Sequence, residues 1–77
     1  MKRIKYYVIH CTEKERDNGK DNYEQFNSLS LAMARAKELA GISNEFISVE
    51  RHHEIFTRNE WLPDWDMGDK WNETIEI

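Results

Sequence analysis

The sequence predicts an α+β domain in which a single helix packs on one face of a small, mostly antiparallel sheet of three to five strands. Two stretches rich in β-branched and aromatic residues flank the dipeptide Asn18-Gly19, which is a strong hairpin signal. Apolar residues at helical spacing follow, and a second strand-rich half comes after them. The resulting order, β-β-α-β-β, favours hairpins on either side of the helix.

The first predicted strand covers about Lys2–Glu13 and is apolar at both its even and its odd positions. A strand with two apolar faces belongs in the middle of a sheet. Asn18-Gly19 accepts the positive φ angles of a type I′ turn. It therefore predicts that the polar residues 13–20 form a hairpin tip, followed by a short second strand over Asn22–Phe26.

The predicted helix has one apolar stripe with three- and four-residue spacing, formed by Leu29, Ala32, Met33, Ala36, Leu39 and Ala40. Asn27 or Ser28 is expected to cap its first free amides. Gly41 is expected to adopt the left-handed conformation that ends many helices. The small alanine side chains should let this helix lie close to the sheet.

The third predicted strand, Phe46–Phe56, alternates between an apolar and a polar face. The apolar face carries Ile47, Val49, His53 and Ile55. The polar face, which we expect to be solvated, carries Ser48, Glu50, His52 and Glu54.

The remaining residues predict short edge elements. Trp61 and Leu62 open a fourth strand that Pro63 confines to an edge or ends. Residues 63–69 are expected to form a loop, and a last short strand follows from Trp71. The uncovered face of the sheet should carry aromatic residues of the first strand, and exposed apolar area of that kind usually marks an interface.

Length and composition limit the possible classes of protein. Seventy-seven residues, 1–77, form one domain, whose small core makes it marginally stable. Cys11 is the single cysteine, so no internal disulfide is expected. The sequence shows neither a bilayer-spanning apolar run nor a signal-peptide pattern, and we expect a soluble, cytoplasmic protein without membrane association.

The net charge of −4 is distributed unevenly. Residues 1–20 carry six bases and three acids, whereas residues 60–77 carry one base and six acids. Nucleic-acid-binding domains usually show a basic stripe, so direct binding to DNA or RNA is not expected.

The acidic end also contains all three tryptophans of the chain, and it is the predicted partner-binding site. Its candidate residues are Trp61, Asp64, Trp65, Asp66, Asp69 and Trp71. Tryptophan is enriched in binding hot spots, and the surrounding acids suit a basic, partly apolar target such as a surface that normally holds nucleic acid. In the alternative interpretation, two of the tryptophans anchor the core and the acids only keep the protein soluble.

A metal or small-ligand site is a weaker alternative, which would use His10, Cys11, His52 and His53. Adjacent residues of a strand point to opposite faces, so His52 and His53 cannot ligate one ion together without a bulge. No glycine-rich phosphate cradle is present. We therefore expect no cofactor, no metal and no catalytic residues.

The chain resembles the small accessory proteins of bacteriophages and related mobile elements. The resemblance rests on the strand 4–9, the start of the helix at Phe26–Ala32, the amphipathic strand 47–51 and the acidic, tryptophan-rich end. It implies a non-enzymatic protein that binds a host or viral macromolecule, and inhibitors of bacterial defence, including anti-CRISPR proteins, belong to this size class. A homo-oligomeric structural or assembly protein, for example a homodimer formed through the uncovered sheet face, is the alternative.

Overall fold

The computed structural model describes residues 1–42 and 46–77. Five strands share one sheet: β1 (Lys2–Cys11), β2 (Asn22–Phe26), β3 (Phe46–Thr57), β4 (Glu60–Pro63) and β5 (Asn72–Ile75). Two α-helices and one 3₁₀ segment connect them: α1 (Glu13–Asp17), α2 (Leu29–Ala40) and the 3₁₀ residues Trp65–Trp71. The predicted α+β class and element order are confirmed.

All strand pairs are antiparallel, and β3 is the centre of the sheet. β1 lies between β2 and β3, which is the interior position predicted from its two apolar faces. The other side of β3 is shared by two short strands, with β4 opposite residues 54–57 and β5 opposite residues 49–52. Pro63 is the last residue of β4, at the outer edge of the sheet as predicted.

The core lies between α2 and one face of the sheet. Val8 of β1 and Val49 of β3 are direct cross-strand partners, and both are fully buried. They pack in one cluster with Ala32, Ala36 and Leu39 of α2. The two alanines bring the helix backbone close to the sheet, so a few small side chains fill the space between the layers.

The ends of α2 differ from each other. Ser28 is the N-cap and its hydroxyl accepts a hydrogen bond of 3.3 Å from the Leu31 amide, which settles the choice between Asn27 and Ser28. The prediction for Gly41 is wrong, because this residue has a φ of −80° and remains right-handed.

Residues 13–20 connect the antiparallel strands β1 and β2, as the predicted hairpin tip requires, but they form the short helix α1 and not a tight turn. Thr12 caps the helix with the reciprocal pair of a capping box: its hydroxyl accepts from the Glu15 amide, and the Glu15 carboxylate accepts from the Thr12 amide. Thr12-x-x-Glu15 is the sequence signal for this motif, and it was missed.

Gly19 follows α1 and has the left-handed backbone conformation that was predicted for Gly41 after α2. Its φ is 69°, whereas that of Asn18 is −91°, so a type I′ turn does not form. The Gly19 amide donates to the Arg16 carbonyl at 2.9 Å, and the Lys20 amide donates to the Glu15 carbonyl at 2.8 Å. These two bonds are the Schellman motif, which ends α1 before the chain enters β2.

Two leucines of α2 differ in burial, so replacing each of them by alanine should lower the free energy of unfolding by different amounts. Leu39 is 3% exposed and Leu31 is 57% exposed. We expect Leu39→Ala to lower the free energy of unfolding by about 2–5 kcal/mol, because it removes buried methyl groups and leaves a cavity. Leu31→Ala is the matched control and should change it by less than about 0.5 kcal/mol. Urea unfolding measures both, and equal losses would contradict the position of the core.

The capping box predicts a pH dependence. Hydrogen bonds from Asn22 and from the Thr12 amide lower the pKa of Glu15 from 4.5 to about 2. A carboxylate with a lowered pKa stabilises the fold above its unfolded pKa, and this contribution is lost as the pH falls from about 4.5 to about 2. The stability difference between the wild type and Glu15→Gln should therefore shrink over this range in urea unfolding, with Glu13→Gln as the control for charge. A difference that stays constant down to pH 2 would contradict the assignment.

Candidate functional site

The candidate site lies where the outer edge strand of the sheet is interrupted. β4 and β5 run in the same direction along β3; Pro63 is opposite Glu54 and Asn72 is opposite His52. If the edge strand were continuous, a single residue opposite His53 would join Pro63 to Asn72. Residues 64–71 lie between them instead. We call this insertion the edge excursion. Irregular edges often re-aim side chains near functional sites and also discourage unwanted strand pairing.

Asp64 holds the start of the edge excursion in place. Its amide donates to the His53 carbonyl at 2.9 Å, and its carboxylate accepts from the Asp66 amide at 3.3 Å and lies 3.3 Å from the Lys2 ammonium. Asp64 is only 3% exposed. It was predicted to contact a partner, but its buried carboxylate is occupied by these bonds, and we leave it out of the contact surface.

Gly68 allows the edge excursion to change direction. Its φ of 59° and ψ of −138° interrupt the 3₁₀ segment, and a side chain at this φ would be strained. The segment after Gly68 leads to Trp71, which comes directly before β5.

A series of four aromatic rings rises from the open face of the sheet, the face that α2 does not cover. The ring centroids of Tyr7 and His52 are 4.4 Å apart, those of His52 and Trp71 5.2 Å, and those of Trp71 and Trp65 5.3 Å. The last two contacts are edge to face, an arrangement that aromatic pairs favour. Trp65, at the outer end of the series, is 67% exposed.

Polar and charged side chains of the neighbouring strands form a hydrogen-bond network beneath these rings. The Arg3 guanidinium donates to the Glu54 carboxylate at 2.7 Å, and the Tyr7 hydroxyl donates to its other oxygen at 3.1 Å. Gln25 donates to the Tyr7 hydroxyl, and the His52 ring lies 2.9 Å from the Glu50 carboxylate. These bonds fix the orientation of Tyr7 and His52.

The prediction that the polar face of β3 is solvated is wrong. Glu54 is buried, and Glu50 and His52 are largely covered. In the described part of the chain, no buried side-chain nitrogen or oxygen lacks a hydrogen-bond partner. Burial of these groups is possible because each has a partner.

Trp61 lies beside this network and is half-buried. The Arg3 guanidinium lies over its ring, 4.1 Å from the centroid, and the Phe56 ring is 5.3 Å away. One face of Trp61 is thus occupied by the chain itself. The three predicted tryptophans lie on two features, with Trp61 on β4 and Trp65 and Trp71 at the two ends of the 3₁₀ segment.

Asp66 and Asp69 are both exposed residues of the 3₁₀ segment, next to Trp65 and near Trp71 in sequence. Asp66 directly follows Trp65, and Asp69 lies two residues before Trp71. The edge excursion therefore carries two tryptophans and two solvent-facing carboxylates. We call Trp61, Trp65, Asp66, Asp69 and Trp71 the aromatic-acidic surface.

The residues of the alternative ligand site do not converge. His10 bonds to Glu24 at 2.8 Å on the helix side of the sheet, and His53 lies 3.7 Å from Glu73. His52 is on the open face with Glu50. Over residues 1–42 and 46–77, no group of three histidine, cysteine, aspartate or glutamate side chains is placed to hold a metal ion.

Cys11 is buried, and its surroundings disfavour the thiolate. Burial raises the pKa of the Cys11 thiol, and a hydrogen bond to Asp21 raises it further. A thiol with a raised pKa is a weak nucleophile at neutral pH.

Comparison of the chain with protein-family models, curated proteins and solved structures found no match. None of the helices in the described residues has the length and apolar character needed to cross a membrane.

The sequence interpretation missed the supporting residues Arg3, Tyr7, Gln25, Glu50 and Glu54. Their alternation in the strands indicated which face they share, but alternation alone does not distinguish a solvated polar face from one with internal bonds. The deciding information is the cross-strand register, which pairs Arg3 with Glu54 and which only the structure supplies.

The surroundings of Tyr7 predict late ionisation of its phenol. Burial raises the pKa of Tyr7 above 10.0, and the hydrogen bond to Glu54 and its negative charge raise it further. Because the unfolded chain ionises first, the fold should lose stability as the pH rises above about 10. Ultraviolet titration should show a tyrosine ionisation step at a pH above the ordinary tyrosine pKa of 10.0.

Two variants test this assignment. Tyr7→Phe should remove the late step, and Glu54→Gln should shift it to lower pH while burial keeps it above the ordinary value. A late step that is unchanged in Glu54→Gln would contradict the role of this carboxylate.

Proposed function

We propose that this protein is a non-enzymatic binding protein that docks on a host or viral protein through the aromatic-acidic surface and blocks or modulates it. The observation that carries the proposal is the position of Trp65, a large aromatic side chain held 67% exposed at the end of an ordered series of rings. Interface hot spots are enriched in tryptophan. A binding role explains why such a side chain faces solvent on a well-supported segment.

The support below Trp65 favours a preorganised contact. Trp71 rests on His52, which in turn is stacked on Tyr7 and bonded to Glu50. Side chains that are already ordered before association lose less conformational entropy when a partner binds. This arrangement favours recognition over a purely solubilising role for the acidic end.

The charge of this end indicates a basic partner. Residues 60–77 carry six acids and one base, Lys70, a net charge of −5. Complementary charge speeds association and excludes wrong partners. Two copies facing each other through this end would bring like charges together, which favours a different partner over a homodimer.

An anti-defence inhibitor, similar in role to anti-CRISPR proteins, is the most concrete form of this proposal. The resemblance to phage accessory proteins supports it, together with an acidic surface that suits a basic, nucleic-acid-binding face of a host protein. Such an inhibitor would act in the cytoplasm of the host cell and needs no cofactor.

Affinity capture from host lysate, followed by mass spectrometry, tests the proposal. The wild type should retain a specific partner, and the Trp65→Ala, Trp71→Ala double variant should lose it because the contact surface is removed. Circular dichroism should show that the variant remains folded.

Tyr23→Ala is the matched control, since Tyr23 is an aromatic residue of β2, 64% exposed, at the opposite edge of the sheet. It should capture the partner normally. Normal capture by the folded double variant would show that the proposed surface is wrong. A concentration-dependent dimer mass that is lost in the double variant would instead favour the homodimer.

A further inference from the structure

Within residues 1–42 and 46–77, three aromatic rings are contacted by arginines of the chain itself. The guanidinium carbon of Arg3 is 4.1 Å from the ring centroid of Trp61, and that of Arg16 is 4.2 Å from Phe46. Arg51 lies 5.6 Å from the Tyr6 ring. In each of these three contacts the cation is an arginine, so arginine packing on an aromatic ring already occurs within this domain.

Trp65 differs from these three rings. It packs edge to face on Trp71, at an interplanar angle of 68°, and 67% of the residue remains exposed. Two rings at this angle form a corner, and the faces of an indole ring are electron-rich. The exposed carboxylates of Asp66 and Asp69 belong to the same short segment and add negative charge.

We propose that the Trp65–Trp71 corner binds an arginine side chain of the partner protein, with Asp66 and Asp69 supplying complementary charge. This inference rests on the proposed function and specifies the contact at the centre of the proposed interface. A guanidinium over an indole face gains cation–π attraction, which is strongest for tryptophan. The nearby carboxylates attract the same cation before and during contact.

Arginine fits the corner better than lysine does. The planar guanidinium stacks on an aromatic face and is more weakly hydrated than an ammonium group, so it loses less on leaving water. It also presents several donors in one plane, which allows it to stack on a ring and still bond to a carboxylate.

A peptide titration tests the inference directly. The probes are three short peptides of identical sequence and length that differ only at two positions, occupied by arginine, lysine or the uncharged analogue citrulline. The readout is the set of indole N–H signals in two-dimensional NMR, one for each of the three tryptophans. The arginine peptide should shift the Trp65 and Trp71 signals more than the Trp61 signal, because Arg3 already occupies one face of Trp61.

The relative affinities should follow the chemistry of the contact. We expect the arginine peptide to bind at least about fivefold more tightly than the citrulline peptide, and the lysine peptide to bind more weakly than the arginine peptide. Added salt should weaken binding of the arginine peptide, because the carboxylates of an exposed site are screened.

Matched variants separate the components of the site. Trp65→Ala should lower the affinity for the arginine peptide at least about fivefold. The Asp66→Asn, Asp69→Asn double variant should lower both the affinity and its salt dependence, while Tyr23→Ala should change neither. These substitutions are at exposed positions, and the remaining NMR signals report whether the fold is retained.

Equal binding of the arginine and citrulline peptides, or no shift of Trp65 and Trp71 at millimolar peptide, would overturn the inference. The outcome is separable from that of the proposed function. Selective arginine binding without any captured macromolecule would support the corner and count against the wider role. Capture that depends on Trp65 but is unaffected by Asp66→Asn, Asp69→Asn and by competing arginine peptide would support the wider role and refute the corner.

Discussion

The register of β1 against β3 is the constraint on which the rest of the structure depends. Val8 is opposite Val49, and among the residues that the structure describes these two are the largest side chains that are fully buried. Because strand side chains alternate, a shift of β1 by one residue against β3 would turn Tyr7 toward α2 and move Val8 out of the core. The same register thus closes the core under the alanines of α2 and places the aromatic and charged residues on the open face.

The helix α2 does not cover the open face of the sheet. The side chains on this face are held in place by hydrogen bonds between polar groups. Glu54 accepts bonds from Arg3 and Tyr7, and Tyr7 in turn stacks on His52. A buried carboxylate is costly without such partners, so this network either forms completely or destabilises the sheet. Because this network is complete, the rings on which Trp71 packs are held in place, and Trp71 in turn supports Trp65 on this irregular edge of the sheet.

The edge excursion uses local rules that do not depend on the core. Asp64 caps its first turn and also continues the hydrogen-bonding of the sheet edge through His53, and Gly68 permits the change of direction. The excursion can therefore present exposed side chains while its ends remain fixed by β4 and β5. Functional residues often lie on loops that a rigid scaffold positions in this way.

The amino-acid sequence by itself determined the class of fold, the span of α2, the interior position of β1 and the edge position of Pro63, because these follow from periodicity and from proline's missing amide. It also indicated the tryptophans and acids of the candidate surface. The prediction for Gly19 failed in its turn type, since this glycine ends a short capped helix, and Gly41 lacks the positive φ that was predicted for it. Only the tertiary structure decided that Asp64 is buried, that Arg3 covers Trp61 and that Glu54 is enclosed. These outcomes depend on contacts between residues far apart in the chain, and no local pattern encodes which distant side chain will supply a partner.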